Sequence, residues 1–168
     1  YDQLNLSKLE GVEIYYNNLE GESIINHILP DYLKHLYCWG NKLTSLPKLP
    51  NSLQILTCWG NQLTSFDNTQ LPNSLKELNC YKNLLKSLPD HLPDSLQELI
   101  CFNNQLKSLP DHLPNSLRRL RCGNNKLLNL PEINDNMYLH LIQSEPLEYI
   151  TYSENNISGL SNIDINVI

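Results

Sequence analysis

Leu33-Lys34-His35-Leu36-Tyr37-Cys38-Trp39-Gly40-Asn41-Lys42-Leu43-Thr44-Ser45-Leu46-Pro47 is the stretch whose reading decides the fold. Its pattern is L-x-x-L-x-C-x-x-N-x-L-x-x-L-P. The pattern returns as Leu53, Leu56, Cys58, Asn61, Leu63 and Phe66, then as Leu75, Leu78, Cys80, Asn83, Leu85, Leu88 and Pro89. It returns again as Leu96, Leu99, Cys101, Asn104, Leu106, Leu109 and Pro110, and as Leu117, Leu120, Cys122, Asn125, Leu127, Leu130 and Pro131. Weaker copies flank these five: Leu9, Val12, Ile14, Asn17 and Leu19 upstream, and Leu147, Ile150, Tyr152, Asn155, Ile157 and Leu160 downstream. Seven units therefore open at residues 9, 33, 53, 75, 96, 117 and 147, with residues 1–8 as an N-terminal flank or partial repeat. A fixed period of this length marks a stacked array, because one unit alone cannot bury its apolar face. We expect one continuous elongated domain over residues 1–168, belonging to a longer protein.

Each unit places a short strand around its second Leu and its Cys, as in His35-Leu36-Tyr37-Cys38. Residues two apart on a strand share a face, so every Cys of the pattern should point inward with its Leu. A buried thiol behaves as a small hydrophobe, and Ile14 and Tyr152 fill the same slot in the flanking copies. The five cysteines are thus expected to form a core ladder rather than disulfides or a metal site, and no C-x-x-C pair is present. An odd number of reduced thiols fits a reducing compartment, so a cytoplasmic setting is expected, the host cytoplasm if the chain is an effector. The sequons Asn5-Leu6-Ser7 and Asn156-Ile157-Ser158 would matter only in a secreted setting.

The Asn that follows each strand can donate and accept at once, which suits a ladder tying down the turning backbone. The return segments are Leu-Pro rich, for example Leu88-Pro89-Asp90-His91-Leu92-Pro93. Proline fixes φ and removes a donor, so an extended, polyproline-like return is predicted on the convex side. Pro-Asn-Ser and Pro-Asp-Ser then supply turn chemistry before the next strand. Short helical turns are predicted only in the two longer units, over 134–143 and around 22–26.

The Leu-x-x-Leu-Pro return and the short period resemble the LPX class of leucine-rich repeats, over roughly residues 9–165. Bacterial effectors related to YopM and the IpaH-type ubiquitin ligases carry such repeats. The resemblance implies a solenoid with a parallel sheet on its concave face. It also implies recognition of a protein partner, as an effector or as the targeting domain of a larger protein. This chain departs from the pattern in carrying Cys where those repeats usually carry an aliphatic residue. No Cys lies in a Cys-x-Asp motif. The substrate-recognition part of a ubiquitin ligase, with its catalytic domain elsewhere, is the alternative; a structural spacer is another.

Composition narrows the function. The chain is 40% hydrophobic with a net charge of −6, which gives no general basic surface for nucleic acid. No apolar run approaches the ~18 residues of a membrane span. No nucleophile elbow, phosphate loop or metal-binding pair appears, so catalysis, cofactors and metals are not expected. Asp90-His91 and Asp111-His112 recur on the return side, and we read them as solvated polar residues.

The candidate contact residues, expected to bind a macromolecular partner on the concave face, break the repeat. The column after the Cys reads Tyr15, Trp39, Trp59, Tyr81, Phe102, Gly123, Ser153. Stacking turns the first five into an aromatic stripe, and Trp and Tyr are enriched at interface hot spots. The same stripe also stabilises a sheet by cross-strand packing, and the two roles are compatible. All three arginines, Arg118, Arg119 and Arg121, fall in one unit. They suit an acidic or phosphorylated partner, through bidentate guanidinium contacts. Glu98 stands one unit before Arg119 in the same column and can pair with it instead.

Overall fold

The computed structural model describes residues 11–13, 29–66, 69–128 and 150–151. Seven short strands form one parallel sheet in chain order: β1 (Gly11–Glu13), β2 (His35–Tyr37), β3 (Ile55–Thr57), β4 (Glu77–Asn79), β5 (Glu98–Ile100), β6 (Arg119–Arg121) and β7 (Ile150–Thr151). Each follows the opening Leu of one sequence unit. The register pairs equivalent positions throughout, for example Leu36 with Leu56 and Leu78 with Leu99. A parallel sheet needs a crossover between neighbouring strands. Here the crossover is the return segment of one repeat, and no helix occurs among the described residues. The helical turns predicted over 134–143 and around 22–26 lie outside the described residues, as do Ile14 and Tyr152.

The core is the space between sheet and return. A representative unit buries Leu33, Leu36, Cys38, Leu43, Leu46 and Leu49, and equivalents from the next units stack on them. Burying one Leu is worth about 1.5–3 kcal/mol, so each unit gains most of its stability from its neighbours' cover. The strands alternate as the pattern requires: Leu36, Leu56, Leu78 and Leu99 are fully enclosed while the residues either side face away.

Hydrogen bonds close each coil. Before each of β2 to β6 the Leu N–H donates to a Pro carbonyl three residues earlier, as Leu53 N to Pro50 O at 3.1 Å and Leu96 N to Pro93 O at 2.9 Å. This is the turn expected of Pro-Asn-Ser and Pro-Asp-Ser. The Ser of that turn also reaches into the preceding coil. Ser74 Oγ donates to Leu53 O at 2.6 Å, and Ser52, Ser95 and Ser116 do the same one coil apart.

After the strand the Asn ladder takes over. Asn83 Nδ2 donates to Cys80 O and to Cys58 O of the previous coil, both at 3.1 Å. Its Oδ1 accepts Leu63 N–H at 3.0 Å. Asn61, Asn104 and Asn125 repeat this arrangement. Buried amides so satisfied lock one coil to the next and explain why the repeat demands Asn there.

Candidate functional site

The face of the sheet turned away from the core carries the residues that break the repeat. Cys38, Cys58, Cys80, Cys101 and Cys122 are fully buried, so the residue after each must point outward. Trp39, Trp59, Tyr81 and Phe102 occupy that position and stack ring on ring. Centroid separations are 4.7, 5.0 and 4.6 Å, with interplanar angles of 9°, 16° and 7°. The spacing follows from the distance between parallel strands, which matches ring thickness closely enough for offset stacking. With their faces against each other and half-buried, Trp59 and Tyr81 leave ring edges to solvent. Cross-strand packing is thus one role of the column, and the surface it offers is a row of edges rather than flat platforms. Tyr15 lies outside the described residues.

The column stops at Gly123, which is buried. Alongside, β6 turns Leu120 inward and Arg119 and Arg121 to the same outer face as the rings. Arg118 precedes the strand and is exposed. Arg119 Nη1 donates to both carboxylate oxygens of Glu98, at 3.0 and 2.9 Å, with side chains 38% and 23% exposed. A pair this open to water contributes at most about 1 kcal/mol. Arg119 is therefore held in place but can exchange its partner at small cost. Arg121 is half-buried with its Nε enclosed. At the other end of the sheet His35 and Tyr37 meet edge to face at 6.3 Å.

The thiols are chemically quiet. Burial pushes Cys38, Cys80 and Cys122 up to about 12, and it raises Cys58 and Cys101 well above the usual thiol range. Neighbouring thiols raise Cys58 and Cys101 further, because a thiolate in one slot disfavours charge in the next. All five are free cysteines, so the ladder is packing material and not a set of nucleophiles.

A broad open concavity of about 930 Å³ lies on the return side, where His91, Asp94 and His112 line it. Among the described residues no group of three or more His, Cys, Asp or Glu has the spacing to hold a metal ion. Nor is any helix of the described residues long and apolar enough to cross a membrane.

One column was not legible as special. The second residue after each Cys is left-handed in every central unit: Gly40 (φ 68°), Gly60 (φ 67°), Lys82 (φ 54°), Asn103 (φ 52°) and Asn124 (φ 48°). Gly and Asn tolerate this region, so two Gly and two Asn at one repeat position were the available signal. Asn124 Nδ2 further donates to Asn103 Oδ1 along the column. This turn swings the chain out of the sheet and brings the following Asn to its ladder position.

Among the solved structures similar to this chain are effector proteins built of such repeats. YopM, a leucine-rich effector protein from Yersinia pestis, is 36% identical with a TM-score of 0.66, over 76% of this chain and 34% of that one. YopM from Yersinia enterocolitica WA-314 is 36% identical with a TM-score of 0.62, over 67% of this chain and 24% of that one. A Shigella effector LRR domain is 34% identical with a TM-score of 0.68, over 77% of this chain and 56% of that one. The chain thus spans well under two thirds of the length of each. No protein-family model and no curated protein matches it.

Proposed function

We infer that this chain, a leucine-rich-repeat protein whose repeats are similar to those of bacterial effectors, is a protein-interaction module that holds its partner on the outer face of its sheet. The contact residues are Trp39, Trp59, Tyr81 and Phe102 together with Arg118, Arg119 and Arg121; Tyr15 extends the column by sequence register. The partner presents an acidic or phosphorylated segment to the arginines. One observation carries the reading: parallel stacking sets four aromatic rings in a row, each centroid within 5.0 Å of the next, on the face that also bears Arg119 and Arg121. Rigid aromatics lose little entropy on binding, and Arg119 can trade Glu98 for a partner carboxylate or phosphate at small cost.

Binding rather than catalysis is supported by the chemistry. Every thiol is shut in the core and held protonated, and among the described residues the outer face brings no acid, base and nucleophile together around a cleft. The test is affinity capture with the whole chain against the Trp39→Ala/Trp59→Ala/Arg121→Ala variant, with Lys48→Ala on the return side as control. The triple variant should release the captured protein while the control retains it. Equal capture by a folded triple variant overturns the proposal.

A further inference from the structure

The chain is acidic overall, yet its charges are sorted by side. The segment leaving each strand runs through the left-handed residue, the ladder Asn and the inward Leu, and it forms one lateral flank of the solenoid. Successive flank segments are hydrogen-bonded coil to coil: Leu84 N to Leu63 O at 2.9 Å, Lys86 N to Thr64 O at 3.2 Å and Lys126 N to Leu106 O at 2.8 Å. Equivalent residues therefore stand one strand spacing apart, about 4.8 Å. Over residues 40–45, 60–65, 82–87, 103–108 and 124–128 the flank carries Lys42, Lys82, Lys86, Lys107 and Lys126 and not one Asp or Glu. All five lysines are exposed. The described carboxylates lie elsewhere: Glu13, Glu77 and Glu98 on the sheet, Asp31 in the turn before β2, and Asp90, Asp94 and Asp111 on the returns; the other described cations, Lys34, Lys48, Lys76 and the three arginines, also lie off the flank.

Like charges on adjacent rungs destabilise an array, and Lys86 and Lys107 are direct neighbours in one column. A counter-charge from outside relieves that repulsion. Apolar surface is sorted the same way. Leu84 is 43% and Leu128 57% exposed, and with Tyr32 they are the exposed large hydrophobics among the described residues. Both sit on this flank, where the equivalent positions of other units carry Lys, Gln or Thr.

We propose that this lysine flank, studded with Leu84 and Leu128, docks an extended acidic segment of a protein partner that carries interspersed apolar side chains. The proposal rests on the protein-recognition reading above and adds the surface and the partner's chemistry. Lys42 to Lys126 spans four strand spacings, about 19 Å, which an extended chain covers in about six residues. The flank adjoins the aromatic column, whose solvent-facing ring edges are the electropositive part of the ring and suit carboxylate or carbonyl oxygens. A single nucleic-acid strand would need ring faces to stack its bases, and Trp59 and Tyr81 have spent theirs on each other.

The test uses the whole chain and two fluorescent probes: a peptide alternating Glu with Leu over the flank's length, and an oligodeoxythymidine of similar charge. Lys86→Glu/Lys107→Glu should weaken peptide binding by about tenfold or more, and added salt should weaken wild-type binding steeply. Lys48→Glu, on the return side, should change it little. Tryptophan fluorescence confirms that each lysine variant is folded, and circular dichroism does so for the variant that lacks both tryptophans. Absent peptide binding, or binding that the lysine variant leaves unchanged, overturns the flank. Should the Trp39→Ala/Trp59→Ala/Arg121→Ala variant lose a captured partner all the same, the protein-recognition reading stands without the flank. Tighter binding of the oligodeoxythymidine than of the peptide overturns both.

Discussion

Replacing Asn83 separates what the ladder contributes as packing from what it contributes as hydrogen bonding. Asn83→Ala removes one acceptor and a two-proton donor from a site only 6% exposed. The losses are unequal. Cys58 O keeps the amide of Asn61 at 3.0 Å, and Cys80 O keeps that of Asn104 at 3.0 Å. Leu63 N–H, which gave its proton to Asn83 Oδ1 at 3.0 Å, is left bare in the core wall. One orphaned buried donor costs about 1–3 kcal/mol and each lost secondary bond a fraction more, so we expect about 3 kcal/mol in all. For a chain of this length that lowers the unfolding midpoint by about 6–12 °C.

Asn83→Asp sharpens the test. It keeps an acceptor for Leu63 N–H but turns a second oxygen toward the Cys58 and Cys80 carbonyls, so at neutral pH it should be less stable than the alanine variant. Its folded-state pKa is then raised above the unfolded value. The aspartate's stability should therefore be greatest below the unfolded pKa, about 3.9, and fall as pH rises through the folded one, while the alanine deficit stays flat. Urea titrations followed by tryptophan fluorescence at several pH values read both variants. An alanine variant within about 0.5 kcal/mol of wild type, or an aspartate variant as stable as alanine at pH 7, refutes the reasoning, since a surface substitution does no more than that.

The thiols should resist iodoacetamide at pH 8 in the folded chain and react in denaturant. The folded values of Cys38, Cys80 and Cys122, near 12, exceed the ordinary 9.0, so the stability these three confer is intact below pH 9 and should fall between pH 9 and 12, seen as alkaline unfolding. Fast alkylation of the native protein would contradict the core ladder. Gly60→Ala should cost about 1–2 kcal/mol in thermal unfolding through its φ of +67°. The added methyl meets only Gly40 N and Cα at 3.5 and 3.6 Å, an ordinary contact, so a much larger loss would mean that sterics dominate instead of backbone strain.

The sequence by itself determined the architecture, because a pattern repeated at one period can be satisfied by only one kind of stacking. Leu33, Leu36 and Leu43 point inward with their equivalents in the five central copies, Cys38 shares their face by strand alternation, and Pro47 and Pro50 forbid a helical return. The Asn positions announced a ladder because a short amide both donates and accepts where the chain turns out of the strand. The aromatic column and the arginines could be placed on one face from spacing alone. Tertiary structure decided what each does within that face. Arg119 is bridged to Glu98, and the rings turn their faces to each other and their edges outward, because strand separation nearly equals the thickness of a ring. The left-handed turn at Lys82, the reach of Ser74 into the coil before it, and the gathering of Lys42, Lys86, Lys107 and Lys126 on one flank depend on how coils superimpose. Residues about twenty apart in the chain become neighbours a strand spacing apart in space, and no local pattern records which charges that superposition leaves side by side.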